Sequence, residues 1–365
     1  MKHIVILIDQ LYNFGGIERL VALKANYWTS VFGYKVTILS TEQKGNPKVF
    51  PLNNSVGFLD LGINYDRSKS YFEIKNLAKF FKNIKNLKNQ LNILNPDFIL
   101  VASHIPMTYF IPFIKGKAKV IKEFHFTKYE RQRNLKFKLF NFFESKYDYL
   151  VVLSKEERQF YDTQNVIVIP NPLTFPIPKK SLRLNPKDNK AIFVGRVAPV
   201  KNLEGMINLW KHFRVLHPHW KLEIYGSYDD VYGQSIREKI IEEKMSDDIF
   251  LMGSTSNIIK AIESAKVMLM TSHQECFPMV ILESFALGVP VFAFNCPTGP
   301  RNIIEDGKNG CLIENGNIPE FVNALDDFVK NEDKQSRMSK FASETAELYS
   351  LDIIMQKWNE KIFLK

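Results

Sequence analysis

Two carboxylates, Glu275 and Glu283, stand eight positions apart, with Cys276-Phe277-Pro278 and the apolar run Met279-Val280-Ile281-Leu282 between them. Proline fits the first turn of a helix, where its missing N–H costs nothing. Glu275 is therefore expected in the loop before a helix, and Glu283 about a turn and a half inside it. Upstream, Ala265-Lys266-Val267-Met268-Leu269-Met270 reads as a buried strand. The order is strand, acidic loop, helix start, second acid. In an open α/β sheet, ligands bind at the carboxyl ends of the strands. Free N–H groups at a helix start attract phosphate, and a carboxylate inside the helix accepts hydrogen bonds from hydroxyls. These residues point to a pocket for a molecule that carries phosphates and hydroxyls. The same spacing also describes a capped surface helix with one chance acid in its loop.

Gly195-Arg196-Val197-Ala198-Pro199-Val200-Lys201 places two cations in a second strand-to-helix loop. Arginine holds phosphate through paired hydrogen bonds, and lysine acts as a point charge. Both cations face the helix start at 278–283 if the two strands are neighbours. Near the N-terminus, Gly15-Gly16 precedes a helix, where glycine lets a ligand approach the backbone; a plain tight turn explains the pair equally well. His125 follows a strand at its carboxyl end. There is no G-x-G-x-x-G fingerprint, no phosphate loop ending in Gly-Lys-Ser/Thr, no nucleophile elbow and no His-x-x-x-His pair.

The elements that must position these residues alternate between strand and helix. Residues 3–9 form a strand, a helix runs from Ile17 to about Phe32, and Lys35–Leu39 is a second strand. Residues 69–94 have the spacing of a long basic helix stopped by Asn95-Pro96. Phe98–Val101, Lys119–Lys122, Tyr149–Leu153 and Val166–Ile169 complete a first sheet. Pro170-Asn171-Pro172 and a polar stretch with Pro176, Pro178 and Pro186 form a linker. Strands at Ala191–Val194, Lys221–Tyr225, Ile249–Leu251, Val267–Met270 and Val289–Phe292 build a second half, with a helix at about 202–216. Two α/β domains, 1–170 and 171–349, are expected, with a cleft between them and a last helix at 350–365 crossing back onto the first.

At 365 residues, two domains are the default. No apolar run is long enough to span a bilayer, and the N-terminus lacks the cleavage site of a signal peptide. Three cysteines, Cys276, Cys296 and Cys311, are too few and too scattered for a disulfide framework or a zinc site, and a reducing cytoplasm is the natural setting. The net charge of +10 is uneven: residues 1–171 hold 25 Lys/Arg against 14 Asp/Glu. Residues 115–146 alone hold ten Lys/Arg against three Glu, with Leu135, Leu139, Phe142 and Phe143 on one helical face. Such a stretch suits an anionic membrane surface; a core-facing helix with a solvated basic side fits as well.

Four landmarks in order, Gly-Gly-Ile-Glu-Arg at 15–19, Gly-Arg-x4-Lys at 195–201, Glu-x7-Glu at 275–283 and Cys-Pro-Thr-Gly-Pro-Arg-Asn-Ile-Ile-Glu-Asp-Gly-Lys-Asn-Gly at 296–310, make the chain resemble retaining nucleotide-sugar glycosyltransferases of family 4. The resemblance covers essentially the whole chain. It implies a GT-B fold, two Rossmann-like doubly wound domains facing a central cleft, with the acceptor on the N-terminal domain and the donor on the C-terminal one. It implies that Gly15 and Gly16 lie near the donor diphosphate and that Arg196 and Lys201 neutralise it. Glu283 would hold the ribose hydroxyls. Glu275 would contact the donor sugar, beside the backbone N–H groups of Phe277, Pro278, Met279 and Val280 as far as each has one. His125 would face the donor sugar. No metal is expected, because the two cations take its place. The implied activity is transfer of a hexose or N-acetylhexosamine from a UDP-sugar to a saccharide, lipid-linked, in the synthesis of a capsule, lipopolysaccharide or similar surface polymer. The place would be cytoplasmic, peripheral at the inner face of the membrane.

Two departures from the family pattern stand out: Cys276 where glycine is common, and Ser227-Tyr228-Asp229-Asp230 where a glycine-rich turn is common. Two other readings remain open from sequence. One is a UDP-N-acetylhexosamine epimerase on the same fold, which needs acids placed to remove a sugar-ring proton. The other is a non-enzymatic nucleic-acid-binding protein using the basic first half, although no known RNA or DNA module is present and no nucleic acid is expected.

Overall fold

The computed structural model describes residues 1–129, 135–178 and 188–365, the side chains of residues 135–137 excepted. The chain divides into two compact units, Met1–Thr174 with Asp352–Lys365, and Phe175–Leu351.

In the first unit β1 (His3–Ile8) leads through α1 (Gly16–Ser30) to β2 (Lys35–Ser40) and β3 (Gly57–Asp60). Next come α2 (Ile74–Leu94), β4 (Phe98–Val101), a short helical segment ending in α3 (Ile111–Ile114), and β5 (Lys119–Glu123). Then follow α4 (Leu135–Glu144), β6 (Tyr149–Val152), α5 (Lys155–Arg158) and β7 (Val166–Val168). The strands form one sheet in the order β3-β2-β1-β4-β5-β6-β7, every pair parallel. A parallel sheet covered on both faces needs strands that are apolar throughout, and all six residues of β1 are buried. The strand order reverses between β1 and β4, which opens a crevice at their carboxyl ends.

One helix is shorter than its spacing predicts. Residues 69–73 do not join α2, because buried Asn76 pins the preceding loop. Its amide donates to Asp66 O and Ser70 O, each at 3.0 Å, and its Oδ1 accepts from Asp66 N. Such side-chain bonds offer the backbone an alternative to the helix. In the basic stretch 115–146, α4 covers Leu135–Glu144. Lys128 is buried in the loop before it, its N–H donating to Glu157 Oε1 at 2.8 Å and its ammonium paired with Glu144. Arg131 and Arg133 of the basic stretch 115–146, and Pro186 of the linker, lie outside the described residues. Leu139 and Phe142 do not face a core; they are exposed. The short strand β3 and the helical turns at 106–114 carry too little periodicity to be read from sequence.

The second unit runs β8 (Asp188–Val194), α6 (Leu203–Leu216), β9 (Lys221–Tyr225), α7 (Val231–Glu242), β10 (Ile249–Gly253), α8 (Ile258–Ser264), β11 (Ala265–Met270) and α9 (Met279–Ala286). It continues with β12 (Val291–Phe294), β13 (Gly310–Ile313), α10 (Ile318–Lys330) and α11 (Glu332–Glu347). Its sheet is also parallel, in the order β10-β9-β8-β11-β12-β13. The switch point falls between β8 and β11, which pair with Ala191 opposite Val267 and Ile192 opposite Met268. β12 begins two residues later than the apolar run suggests, because Val289 N–H closes the end of α9 on Ser284 O at 3.0 Å. Trp210, Phe213 and Phe292 are wholly buried in this unit's core.

The last helix, α12 (Leu351–Trp358), and the π-helical turn Asn359–Phe363 belong to the first unit from Asp352 onward. Trp28 on α1 packs edge-on against Trp358 and Phe363, with ring centroids 5.6 and 5.0 Å away. Burying three large aromatics in one cluster contributes well beyond their area alone. No described helix is long and apolar enough to cross a membrane.

Candidate functional site

The expected meeting of the two loops occurs in the second unit. After β8 the ladder ends where Gly195 N–H donates to Tyr225 O at 3.0 Å. Pro199–Lys201 then makes a single 3-10 turn, and Asn202 adopts a left-handed conformation, φ +52°, as the N-cap of α6. Its side chain accepts from Gly205 N at 3.1 Å and donates to Thr271 O at 3.1 Å. Thr271, at the end of β11, returns a hydroxyl bond to Asn202 O at 2.9 Å, and His273 N–H donates to Val200 O at 2.9 Å. An N-cap that bonds both its own helix and the neighbouring loop fixes the two loops side by side.

Lys201 Nζ lies 2.5 Å from Glu275 Oε1. The same oxygen accepts from Ser272 Oγ at 2.8 Å. Thr298, buried and left-handed at φ +64°, donates through Oγ1 to Glu275 O at 2.6 Å. Gly299 backs directly onto that residue: a Cβ there would come within 2.2 Å of Glu275 Cβ. Glu275 is thus held from three sides, by the loops after β8, β11 and β12. Its charge and burial push the thiol of nearby Cys296 up to about 12, burial being the larger cause, so this cysteine stays a neutral packing residue.

Arg196, in the same loop as Lys201, is exposed and makes no ion pair among the described residues. Pro278 is the N-cap of α9 rather than its first helical residue. Ile281 N–H bonds to Pro278 O at 3.0 Å, and the N–H groups of Met279 and Val280 belong to the first turn, which has no intrahelical acceptors. Glu283 sits in α9, only 8% exposed. Cys276 is not in the left-handed region, so a side chain there carries no backbone strain. Asp230 caps α7 by accepting from Gly233 N at 2.7 Å, which accounts for the acidic turn at 227–230. Among the described residues no group of three His, Cys, Asp or Glu could hold a metal ion.

The other predicted residues lie in the first unit. Gly15 is the N-cap of α1, and a Cβ at Gly16 would meet nothing within 4 Å. The loop before them is shaped by Gln10, whose Oε1 accepts from Tyr12 N at 2.7 Å and Asn13 N at 2.9 Å. The His125 side chain is 6% exposed, with Nε2 3.4 Å from Glu123 Oε2. Glu123 is paired in turn with Lys24, which sits 4.7 Å above the Trp358 ring. Burial raises the Glu123 carboxyl, but Lys24 and His125 outweigh it and hold it at about 2. Beyond the carboxyl ends of β1 and β2, Arg67 bridges Asp9 at 2.8 Å and Glu42 at 3.0 Å.

Sequence reasoning missed the residues that hold others in place. Ser272, Thr298 and Gly299 support Glu275, and Lys24 supports Glu123. Thr298 and Gly299 stand inside the Cys-Pro-Thr-Gly-Pro landmark, so a signal was present without a role attached to it. Lys24 carried none, since a lysine in the middle of an amphipathic helix normally reads as solvated.

The second unit can therefore offer two cations, a helix start and two carboxylates at one switch point, a set suited to a phosphorylated, hydroxyl-rich ligand. Residues 175–345 match the family model described as Glycosyl transferases group 1. An uncharacterized glycosyltransferase of Haemophilus influenzae is 28% identical over 375 residues, 98% of this chain and 99% of that one. The amylovoran biosynthesis glycosyltransferase AmsD of Erwinia amylovora is 26% identical, covering 99% of each chain. Staphylococcus aureus TarM, solved with UDP, fondaparinux and alpha-GlcNAc-glycerol, superposes with a TM-score of 0.79 at 17% identity, again covering 99% of each chain. That likeness carries the fold: two parallel-sheet Rossmann-like units of the GT-B class.

Proposed function

We propose that this chain, a glycosyltransferase whose residues 175–345 match the group 1 model, serves surface-polysaccharide synthesis and moves a hexose or N-acetylhexosamine from a UDP-sugar to a lipid-linked saccharide with retention of configuration. The observation that carries this reading is the Lys201–Glu275 pair at the β8–β11 switch point, with Arg196 in the same loop as Lys201. TarM, which shares the fold, was solved with UDP.

In this reading the donor diphosphate takes Arg196 and Lys201 as its counter-charges. As the bond from anomeric carbon to phosphate oxygen breaks, negative charge grows on the leaving phosphate, and fixed cations stabilise it. The helix start at Met279 and Val280 adds N–H donors and a positive dipole end. Glu283, deeper in α9, accepts from the ribose hydroxyls, and Glu275 accepts from the donor sugar. In the first unit, Gly15 and Gly16 at the start of α1 suit the approach of a phosphate, and His125 suits a sugar hydroxyl. A retaining glycosidase would need two carboxylates about 5 Å apart, one of them a nucleophile. Glu275 is engaged by Lys201 and Ser272 and Glu283 is reserved for ribose, so the reaction runs on one face of the sugar. The departing phosphate then takes the acceptor's proton. No metal ion takes part, and the acceptor is met at an anionic membrane surface without a spanning segment.

Incubation with UDP-glucose, UDP-galactose and their N-acetylated forms, each with and without lipid-linked saccharides, tests the proposal. It expects UDP release with one donor, dependent on acceptor, and an α-configured product. Interconversion of UDP-N-acetylhexosamines without UDP release would instead make the protein an epimerase. No turnover of any nucleotide sugar would overturn the donor assignment.

A further inference from the structure

The first unit contains a second concavity of opposite chemistry. α2, the 106–110 turn and α4 enclose an apolar pocket of about 390 Å³, within the usual range for small-molecule sites. Phe72, Leu77, Met107, Phe110, Leu139 and Phe143 are among its walls. Two of its tyrosines have their hydroxyls engaged elsewhere, Tyr65 accepting from Asn83 at 3.2 Å and Tyr71 bonded by Arg67. A saccharide or nucleotide would find almost nothing there to bond to.

The pocket opens on a face that is apolar in patches and cationic throughout. Among the described residues eight phenylalanines are exposed, and five of them, Phe72, Phe81, Phe113, Phe140 and Phe142, belong to the elements around this pocket or immediately flank them. They are joined by ring contacts: Phe81 to Phe80, Phe80 to Phe110, Phe110 to Phe143, and Phe143 to both Phe113 and Phe142, all at 5.3–6.2 Å. Residues 74–94, 106–119 and 135–146 together carry eleven lysines and one acid, Glu144, and that acid is buried and paired with Lys128. A soluble monomer rarely leaves such a surface uncovered. A polypeptide partner would supply apolar groups, but so many lysines, of which Lys115 is paired with Asp148, call for a dense anionic partner as well.

We propose that this pocket receives one alkyl chain of an anionic membrane phospholipid, while the lysines of α2 and its neighbours engage lipid phosphates. The exposed phenylalanines then enter the acyl region around the bound chain, as in other interfacial segments. The proposal deepens the transferase reading and rests on it for its purpose: a lipid-linked acceptor is met where the enzyme is already anchored. It also extends the contact surface beyond 115–146 to the five lysines of α2.

The test uses the full chain and phosphatidylglycerol bearing a photoactivatable diazirine in one acyl chain, in vesicles that are otherwise phosphatidylcholine. After irradiation, peptides are mapped by mass spectrometry. Labelling is expected at residues 65–80, 107–110 and 138–143. The combined variant Phe72→Ser, Leu139→Ser, Phe140→Ser should cut it about tenfold or more. Phe72→Leu with Phe140→Leu should retain it, and so exclude misfolding as the cause. Lys75→Gln, Lys82→Gln and Lys138→Gln together should weaken vesicle binding and its salt dependence. Labelling spread over other surfaces, or equal labelling with a neutral diazirine lipid, overturns the proposal. So does a stable dimer in lipid-free solution that hides these peptides from labelling, since the face then belongs to a second copy. UDP affinity measured on the same wild-type preparation separates the two claims: its absence would sink the UDP-donor reading while the lipid labelling stood on its own.

Discussion

Lys201 Nζ and Glu275 Oε1 lie 2.5 Å apart, joining residues that are 74 positions distant in the chain. Before any donor arrives, the carboxylate proposed for the sugar neutralises one of the two cations proposed for the diphosphate. Arg196 makes no such pair among the described residues. The two cations are therefore inequivalent. A diphosphate meets Arg196 as a free charge, whereas it must share Lys201 with Glu275. Removing Glu275 leaves Lys201 wholly available, so a Glu275→Gln variant is expected to bind UDP at least as tightly as the wild type while transferring sugar poorly. Weaker UDP binding in that variant, measured by calorimetry, would show that Glu275 contributes to the diphosphate site instead.

Gly299 tests how tightly Glu275 must be placed. A Cβ on Gly299 would fall 2.2 Å from Glu275 Cβ, and relieving such an overlap costs about 1–3 kcal/mol. Gly299→Ala should displace the acidic loop and lower kcat/KM by about tenfold or more, with the thermal unfolding midpoint lowered by only a few degrees. Full activity in this variant would mean that Glu275 is not positioned by the β12 loop.

The buried Lys24–Glu123–His125 cluster sets an acid limit. The folded Glu123 carboxyl is held at about 2, below its ordinary 4.5. A depressed carboxyl contributes stability that is present in full above pH 4.5 and is lost as pH falls from there toward 2. Denaturant unfolding of the wild type should weaken across that window. Glu123→Gln should flatten this dependence and be less stable at neutral pH, since it leaves Lys24 buried without its counter-charge, a loss of about 3–5 kcal/mol. The same acid slope in both proteins would assign it to other carboxylates.

With two cations assigned to the diphosphate, transfer should persist in excess chelator. Activity that disappears in EDTA and returns with Mg²⁺ or Mn²⁺ would contradict the role given to Arg196 and Lys201.

Much of this was legible before the coordinates. Period-two and continuous apolar runs gave most of the strands, because a doubly covered parallel sheet leaves little choice of residue. The loops after β8 and β11 were legible because cations and acids in strand-to-helix turns have few structural uses. Features that depend on three dimensions were not. Nothing in the local sequence tells that Asn76 would stop α2 from starting at 69, that Lys24 would be buried under Trp358, or that Lys201 would spend its charge on Glu275. The pocket beneath α2 was hidden for the same reason: its walls come from segments 65–80, 106–110 and 139–143, each of which reads alone as an ordinary amphipathic stretch.

The central claim is that Arg196 and Lys201 hold a diphosphate, and calorimetric titration of UDP and of uridine into the wild type, Arg196→Ala and Lys201→Ala measures it most directly. Each substitution removes a charge-assisted contact worth about 1.5–3 kcal/mol, a loss of roughly 10- to 150-fold in affinity for UDP. Uridine lacks phosphate, so its weaker binding should be the same in all three proteins. UDP affinity unchanged in both variants, or uridine affinity falling in step with UDP, would contradict the account.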